Sequence, residues 1–191
     1  MNNNATMVNR LIAVFLDFIT YLGLLVGLSM LLDSTTDTNF LFHIDKMSQQ
    51  DRLILLGQIL GGFYIFDVFC TRLLSTTPGK LCVNCDVDFH SGNTIIHNII
   101  RSLIKMLCLF TILPAVASYV HAANSDDNKT YHDLAVRTSV TNTTRTPRFI
   151  GLLFFFAGLA LLVFFLINYH DKIGFSIDIL GLKHYKIFDL G

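Results

Sequence analysis

The strongest constraint on this chain is a set of long apolar runs from which charge is almost absent. Phe149 to Tyr169 contains no charged residue, and Leu11 to Leu32 contains only Asp17. Leu53 to Leu74 carries Asp67 and Arg72. At 1.5 Å per residue a helix over Leu11–Leu32 reaches about 33 Å, enough for the hydrocarbon core of a bilayer. Backbone polar groups have no water to bond there, so such a run must satisfy them internally as a helix. The expected fold class is therefore an α-helical multi-pass membrane protein with three firm transmembrane helices. Composition agrees: only 15% of the 191 residues are charged, against about 25% in a soluble domain. Formal net charge is zero, which gives no electrostatic reason to expect a nucleic-acid partner. The partner implied is the lipid bilayer.

Between the runs, the chain is organised by charge and turn chemistry. Met1 to Asn9 is short and polar with no basic n-region, so no cleaved signal peptide is expected. Asp33 to Arg52 is a net acidic loop, and the positive-inside rule places it outside. The N-terminus and Thr77-Pro78-Gly79-Lys80 then lie on the cytoplasmic side, where Pro and Gly read as a turn ending the second span. Leu81 to Phe89 and Val136 to Thr141 have strand character and suggest a small cytoplasmic β element. Ile95 to Ala123 is an interfacial or re-entrant segment, or a fourth span. His97, Arg101 and Lys105 recur at i, i+4, i+8 and make one basic helix face, and Pro114 breaks the helix. Keeping all cations of the following loop inside favours the interfacial or re-entrant form, with the basic face at the headgroups. In the tail, Ile173 to Ile179 alternate weakly as a strand does.

Chemistry-bearing residues are few. Asp17 and Asp67 lie inside apolar runs, where an ionised carboxylate costs at least about 2.5–3.5 kcal/mol on the insertion scale. Each needs a partner, a water path or a proton. Arg10, Asp17, Asp67 and Arg72 could form an ion-pair network that fixes helix docking, or Asp17 and Asp67 could serve a cation or proton site. Lys80 reads as an interfacial anchor or headgroup contact. Cys82-Val-Asn-Cys85 is a lone C-x-x-C without the second pair that zinc needs, and His132-Asp133 lacks further spaced ligands. No metal, cofactor or enzymatic activity is expected. Gly23 and Gly27 form a G-x-x-x-G pair suited to a close helix contact, and with Gly57, Gly61 and Gly62 they offer faces for a homo-oligomer.

These motifs, taken in order, resemble a known family. Arg10-Leu-Ile-Ala13-Val-Phe-Leu-Asp17 is similar to the R-x-x-A-x-x-x-D opening of RDD-family membrane proteins. Thr77-Pro78-Gly79-Lys80 resembles their T-P-G-K turn, and Arg101 falls where they carry an Arg at the start of the next helix. His132-Asp133-Leu134-Ala135 with Thr138 resembles their H-D-L-L-A-G-T block. The family's Arg and two Asp map onto Arg10, Asp17 and Asp133, with Asp67 an addition. This chain departs in having Leu81-Cys82-Val83-Asn84 where basic residues are usual, and Val136-Arg137 where Ala-Gly is usual. The resemblance implies an RDD-like domain over 1–148, with 149–191 an additional helix and tail. It also implies a bacterial inner-membrane location and a role in transport of a small solute or in cation/proton exchange. The alternative is a non-transporting assembly or partner-binding protein whose Arg and Asp residues are structural; the sequence names no protein partner.

Overall fold

A computed structural model describes residues 4–35, 48–90, 95–125, 128–142 and 145–169. Most of the first loop, the turn after His90 and the alternating tail lie outside the described residues. Three helices are long and apolar enough to cross a membrane: α1 (Met7–Thr35), α2 (Gln49–Leu74) and α7 (Arg148–Tyr169). Helix α2 starts where Ser48 accepts a hydrogen bond from the Asp51 N–H at 3.2 Å, and ends at Ser75 in a left-handed conformation. The large apolar side chains these helices leave exposed, such as Phe15, Ile65, Phe69, Leu153 and Phe156, are the surface a bilayer would cover.

Helix α1 is the centre of the fold. Its inward stripe alternates polar and small residues: Arg10, Ala13, Asp17, Thr20 and Tyr21 are all buried. Against α7 the two helices meet through glycine. A Cβ placed on Gly23 would come within 2.7 Å of Gly158 Cα, and one on Gly27 within 2.7 Å of a Leu161 methyl. The G-x-x-x-G pair therefore serves a contact within this chain. Against α2 the contact is aromatic. Phe18, Tyr21, Phe63 and Phe66 pack with ring centroids 5.4 to 6.3 Å apart. The Tyr21 hydroxyl donates to the Ile59 carbonyl at 2.8 Å, satisfying its polar end inside the bundle.

The T-P-G-K segment is not an exit turn into water. It opens a short helix, α3 (Pro78–Cys82), with Pro78 at the first helical position, where a missing N–H is harmless. All five of its residues are buried, and it is wedged between α1 and α7. The expected strand from Leu81 is correspondingly shorter: β1 is Asp86–Phe89, and it pairs antiparallel with β2 (Thr138–Thr141). Asn4 bridges to Thr141, and the Ala5 N–H donates to the Val140 carbonyl at 2.7 Å, so the segment before α1 is tied to this ribbon. Ala5, Cys85, Val87 and Val140 form the small core beneath it.

Helix α4 (Ile95–Phe110) and helix α5 (Ile112–Asn124) are bent by 110° at a short break. The break falls at Thr111, and Pro114 sits in the first turn of α5, where helices tolerate it. The amphipathicity of α4 is inverted relative to a helix lying on headgroups. Asn98, Arg101, Ser102 and Lys105 are buried, while Ile95, Ile96, Ile99, Ile100, Leu103 and Leu107 are exposed. The basic face thus turns into the protein and the apolar face turns out. That is the arrangement of a helix embedded in lipid against a polar interior. A one-turn helix, α6 (Tyr131–Ala135), caps the inward face of α4 and leads into β2.

Candidate functional site

Three buried carboxylates and four buried cations meet inside this bundle. The first carboxylate, Asp17, is held by the T-P-G-K helix. The Thr77 hydroxyl donates to its Oδ2 at 2.6 Å, and the Gly79 N–H donates to its Oδ1 at 2.7 Å. Each residue of the motif has a distinct part. Thr77 spends its hydroxyl on Asp17 instead of capping its own helix. Gly79 lies so near α1 that a Cβ there would be 2.7 Å from the Asp17 nitrogen and would collide with the Ala13 carbonyl. Lys80 is buried, its Nζ 3.4 Å from the Thr77 hydroxyl and within electrostatic reach of Asp67 and Asp17. It is an interior charge, where a surface anchor was expected. Burial, together with Lys105 and Arg101, brings its pKa down to about 8.

Asp67 was expected to meet Arg72. Its partners are instead on α4: Lys105 Nζ at 2.5 Å on Oδ1, and the Ser102 hydroxyl on Oδ2. Ser102 and Lys105 lie three residues apart and so share a face. Arg72 lies on an exposed side of α2.

Asp133, fully buried at the start of α6, is the most heavily bonded of the three. Oδ1 accepts from Arg101 Nε at 3.1 Å and Nη2 at 2.8 Å, and from the Thr138 hydroxyl at 3.2 Å. Oδ2 accepts from Arg10 and from the Thr130 hydroxyl at 2.8 Å. Burial alone would raise this carboxyl's pKa; with Arg101 and Arg10 beside it, the group is held well below the usual carboxylate range. His132 contacts Thr130 Oγ1 through its ring and lies 3.7 Å from Asp133. Its burial, with Arg101, Lys105 and Lys80 nearby, brings its pKa down to about 3 despite Asp133. It is therefore a neutral imidazole at neutral pH.

Arg10, Asp133, Arg101 and His132 thus come together as one group, and Asp17 with Thr77–Lys80 as a second. Asp67 forms a third, and Lys80 links the last two electrostatically. Thr130, Thr138, Ser102 and Lys105 belong to the site although only the motif block and the basic stripe of α4 hinted at them. Cys82 and Cys85 are free thiols, Cys82 on α3 and Cys85 in the ribbon core, and burial pushes both pKa values up, away from reactive thiolate. Among the described residues no group of His, Cys and Asp has metal-ligand geometry.

A cavity of about 140 Å³ adjoins these groups. Arg10, Lys80, Arg101, Lys105 and His132 line it on the polar side, and Leu11, Val14, Ala115 and Tyr119 are among its apolar walls. Arg10 and Arg101 each retain one buried guanidinium nitrogen, Nη2 and Nη1, without a hydrogen-bond partner among the described residues.

No curated protein and no solved structure matches the chain. The model of the RDD family matches residues 4–137, a stretch that holds Arg10, Asp17, the T-P-G-K helix, Arg101 and Asp133. The chain is a multi-pass membrane protein and belongs to the RDD family.

Proposed function

We propose that this protein handles a small solute at the charged cavity beside α1, α4 and α6, moving it across a bacterial inner membrane. The observation that carries this reading is the cavity itself: four buried cations line one side of a single half-open space in a bundle whose outer walls are apolar. Ionisable groups at such depth are expensive to keep and commonly mark a substrate or ion pathway. The Lys and Arg asymmetry supports a cytoplasmic position for α3 and the β ribbon. A homo-oligomer would supply the further helices that a complete pathway needs.

A second reading is favoured by a specific observation. Both oxygens of Asp17, of Asp67 and of Asp133 already accept a hydrogen bond from a protein donor. Carboxylates so engaged are suited to locking helices together, which supports a structural network in a non-transporting assembly protein. It also weakens cation/proton exchange through Asp17 as the form of transport. Flux in proteoliposomes, with and without a pH gradient, separates the readings. Solute movement that Asp17→Asn leaves intact supports transport without proton coupling at Asp17. Loss of pH-coupled flux in Asp17→Asn, with folding preserved, supports exchange. Absence of flux across cations, anions and neutral solutes leaves the assembly reading.

A further inference from the structure

We infer that the cavity is a receptor for a singly charged oxyanion carried on an apolar body, an amphiphile headed by phosphate or carboxylate. This deepens the solute-handling reading, and it concerns binding alone. Charge gives the first argument. Arg10, Lys80, Arg101 and Lys105 are buried around the space, while the acids buried with them are Asp17, Asp67 and Asp133. Four cations against three acids leave one positive charge in a low-dielectric interior, where one anion would neutralise it. The fourth buried acid, Asp86, lies in the ribbon and is balanced there by Arg145, whose Nε is 3.9 Å away. It accepts from the Val87 N–H at 2.7 Å and the Arg145 N–H at 3.3 Å, and Lys80 is a weaker influence on it than Arg145. His132 is neutral and does not change the balance.

Hydrogen bonding gives the second argument. The unpartnered nitrogens of Arg10 and Arg101 belong to side chains only 8% and 1% exposed. Buried donors of this kind are normally satisfied, and guanidinium suits an oxyanion above other acceptors. Shape gives the third. The rest of the wall is apolar, and Leu11 and Tyr119 remain 53% and 40% exposed beside it, so an apolar body can continue outward from the charged end.

The test uses the full chain purified in a neutral maltoside detergent. Dodecyl phosphate is titrated at about pH 5, where its monoester carries about one negative charge, against dodecyltrimethylammonium, with inorganic phosphate as a tail-free competitor. In a second arm the protein is placed in phosphatidylcholine nanodiscs with and without phosphatidylglycerol. Dodecyl phosphate should raise the melting temperature and the cationic amphiphile should not. Displacement by inorganic phosphate assigns the anion to a free oxyanion; stabilisation only by phosphatidylglycerol assigns it to a lipid headgroup, and either supports the site. Ala115→Phe fills the cavity without touching a charge and should weaken dodecyl phosphate binding at least tenfold. Leu11→Trp narrows the exposed edge and should do the same, which keeps the test decisive where Ala115→Phe folds poorly. Equal stabilisation by both amphiphiles, no stabilisation by any anion, or wild-type binding in a folded variant at either position overturns the proposal. Binding without flux would leave it standing while removing transport.

Discussion

Removing the Asp133 carboxylate should damage this protein more than removing any one of its partners. The side chain is fully buried, and its two oxygens receive five hydrogen bonds from Arg10, Arg101, Thr130 and Thr138. Asp133→Ala strands two guanidinium groups in the interior. Breaking one buried ion pair by deleting a partner costs about 3–5 kcal/mol, and two stranded cations put this variant at the upper end. That is a large part of the roughly 5–15 kcal/mol that holds a typical domain folded. Arg10→Ala is milder, because Asp133 keeps both Arg101 bonds and two hydroxyls; losing one charged hydrogen bond costs about 1.5–3 kcal/mol. Thr130→Val removes one neutral donor from a carboxylate that keeps its four others, and should cost about 1.5 kcal/mol, the low end of that range. The expected order of melting temperatures is therefore wild type, Thr130→Val, Arg10→Ala, Asp133→Ala. Asp133→Ala should fall by about 10 °C or fail to accumulate. Detergent-solubilised fluorescent fusions followed by size-exclusion chromatography after heating read this directly. In the double variant the two losses should add to less than their sum, because Arg10 is no longer stranded when Asp133 goes. Arg10→Ala matching or exceeding Asp133→Ala, or a wild-type melt for Asp133→Ala, would refute the reasoning.

Arg137, where the family usually has Gly, adopts φ 53, so Arg137→Gly should stabilise the chain by about 0.5–1 kcal/mol in the same melting assay. Gly79→Ala should lower accumulation strongly, since its Cβ would meet the Ala13 carbonyl and push α3 off Asp17; a wild-type melt would show that α3 can shift freely. Stability should decline as pH falls below about 6.5, because unfolded His132 takes a proton there while the folded imidazole resists until about 3, so the unfolded state binds more protons. His132→Gln should flatten that part of the curve between pH 6.5 and 4.5. Asp133 adds a loss of the same sign at lower pH, since its folded carboxyl titrates below its unfolded value.

What was legible in the sequence divides along a physical line. Three spans could be read because a bilayer demands long apolar runs, a demand that acts on each segment alone. The four motifs placed Arg10, Asp17, Lys80, Arg101 and Asp133 in one family pattern, and the fold brings them to one interior. Partner identities were less accessible. Asp67 meets Lys105 and Ser102 because α2 packs on α4, and Arg72, only five residues from Asp67, lies on another side of its helix. The polar stripe of α4 makes the distinction sharpest. Its period correctly identifies one face, yet a helix at the headgroups and a helix facing a polar interior have the same period. They differ only in which medium lies on the apolar side. In water or at the interface the charged face turns outward; inside a lipid-facing bundle the same face must turn inward to find Asp67 and Asp133. The decision therefore belongs to the buried acids of α2 and α6, not to α4. This makes the inversion a consequence of the network: with Asp67 and Asp133 both neutralised, Arg101 and Lys105 would lose their reason to face inward, and α4 would be freed to roll toward the headgroups.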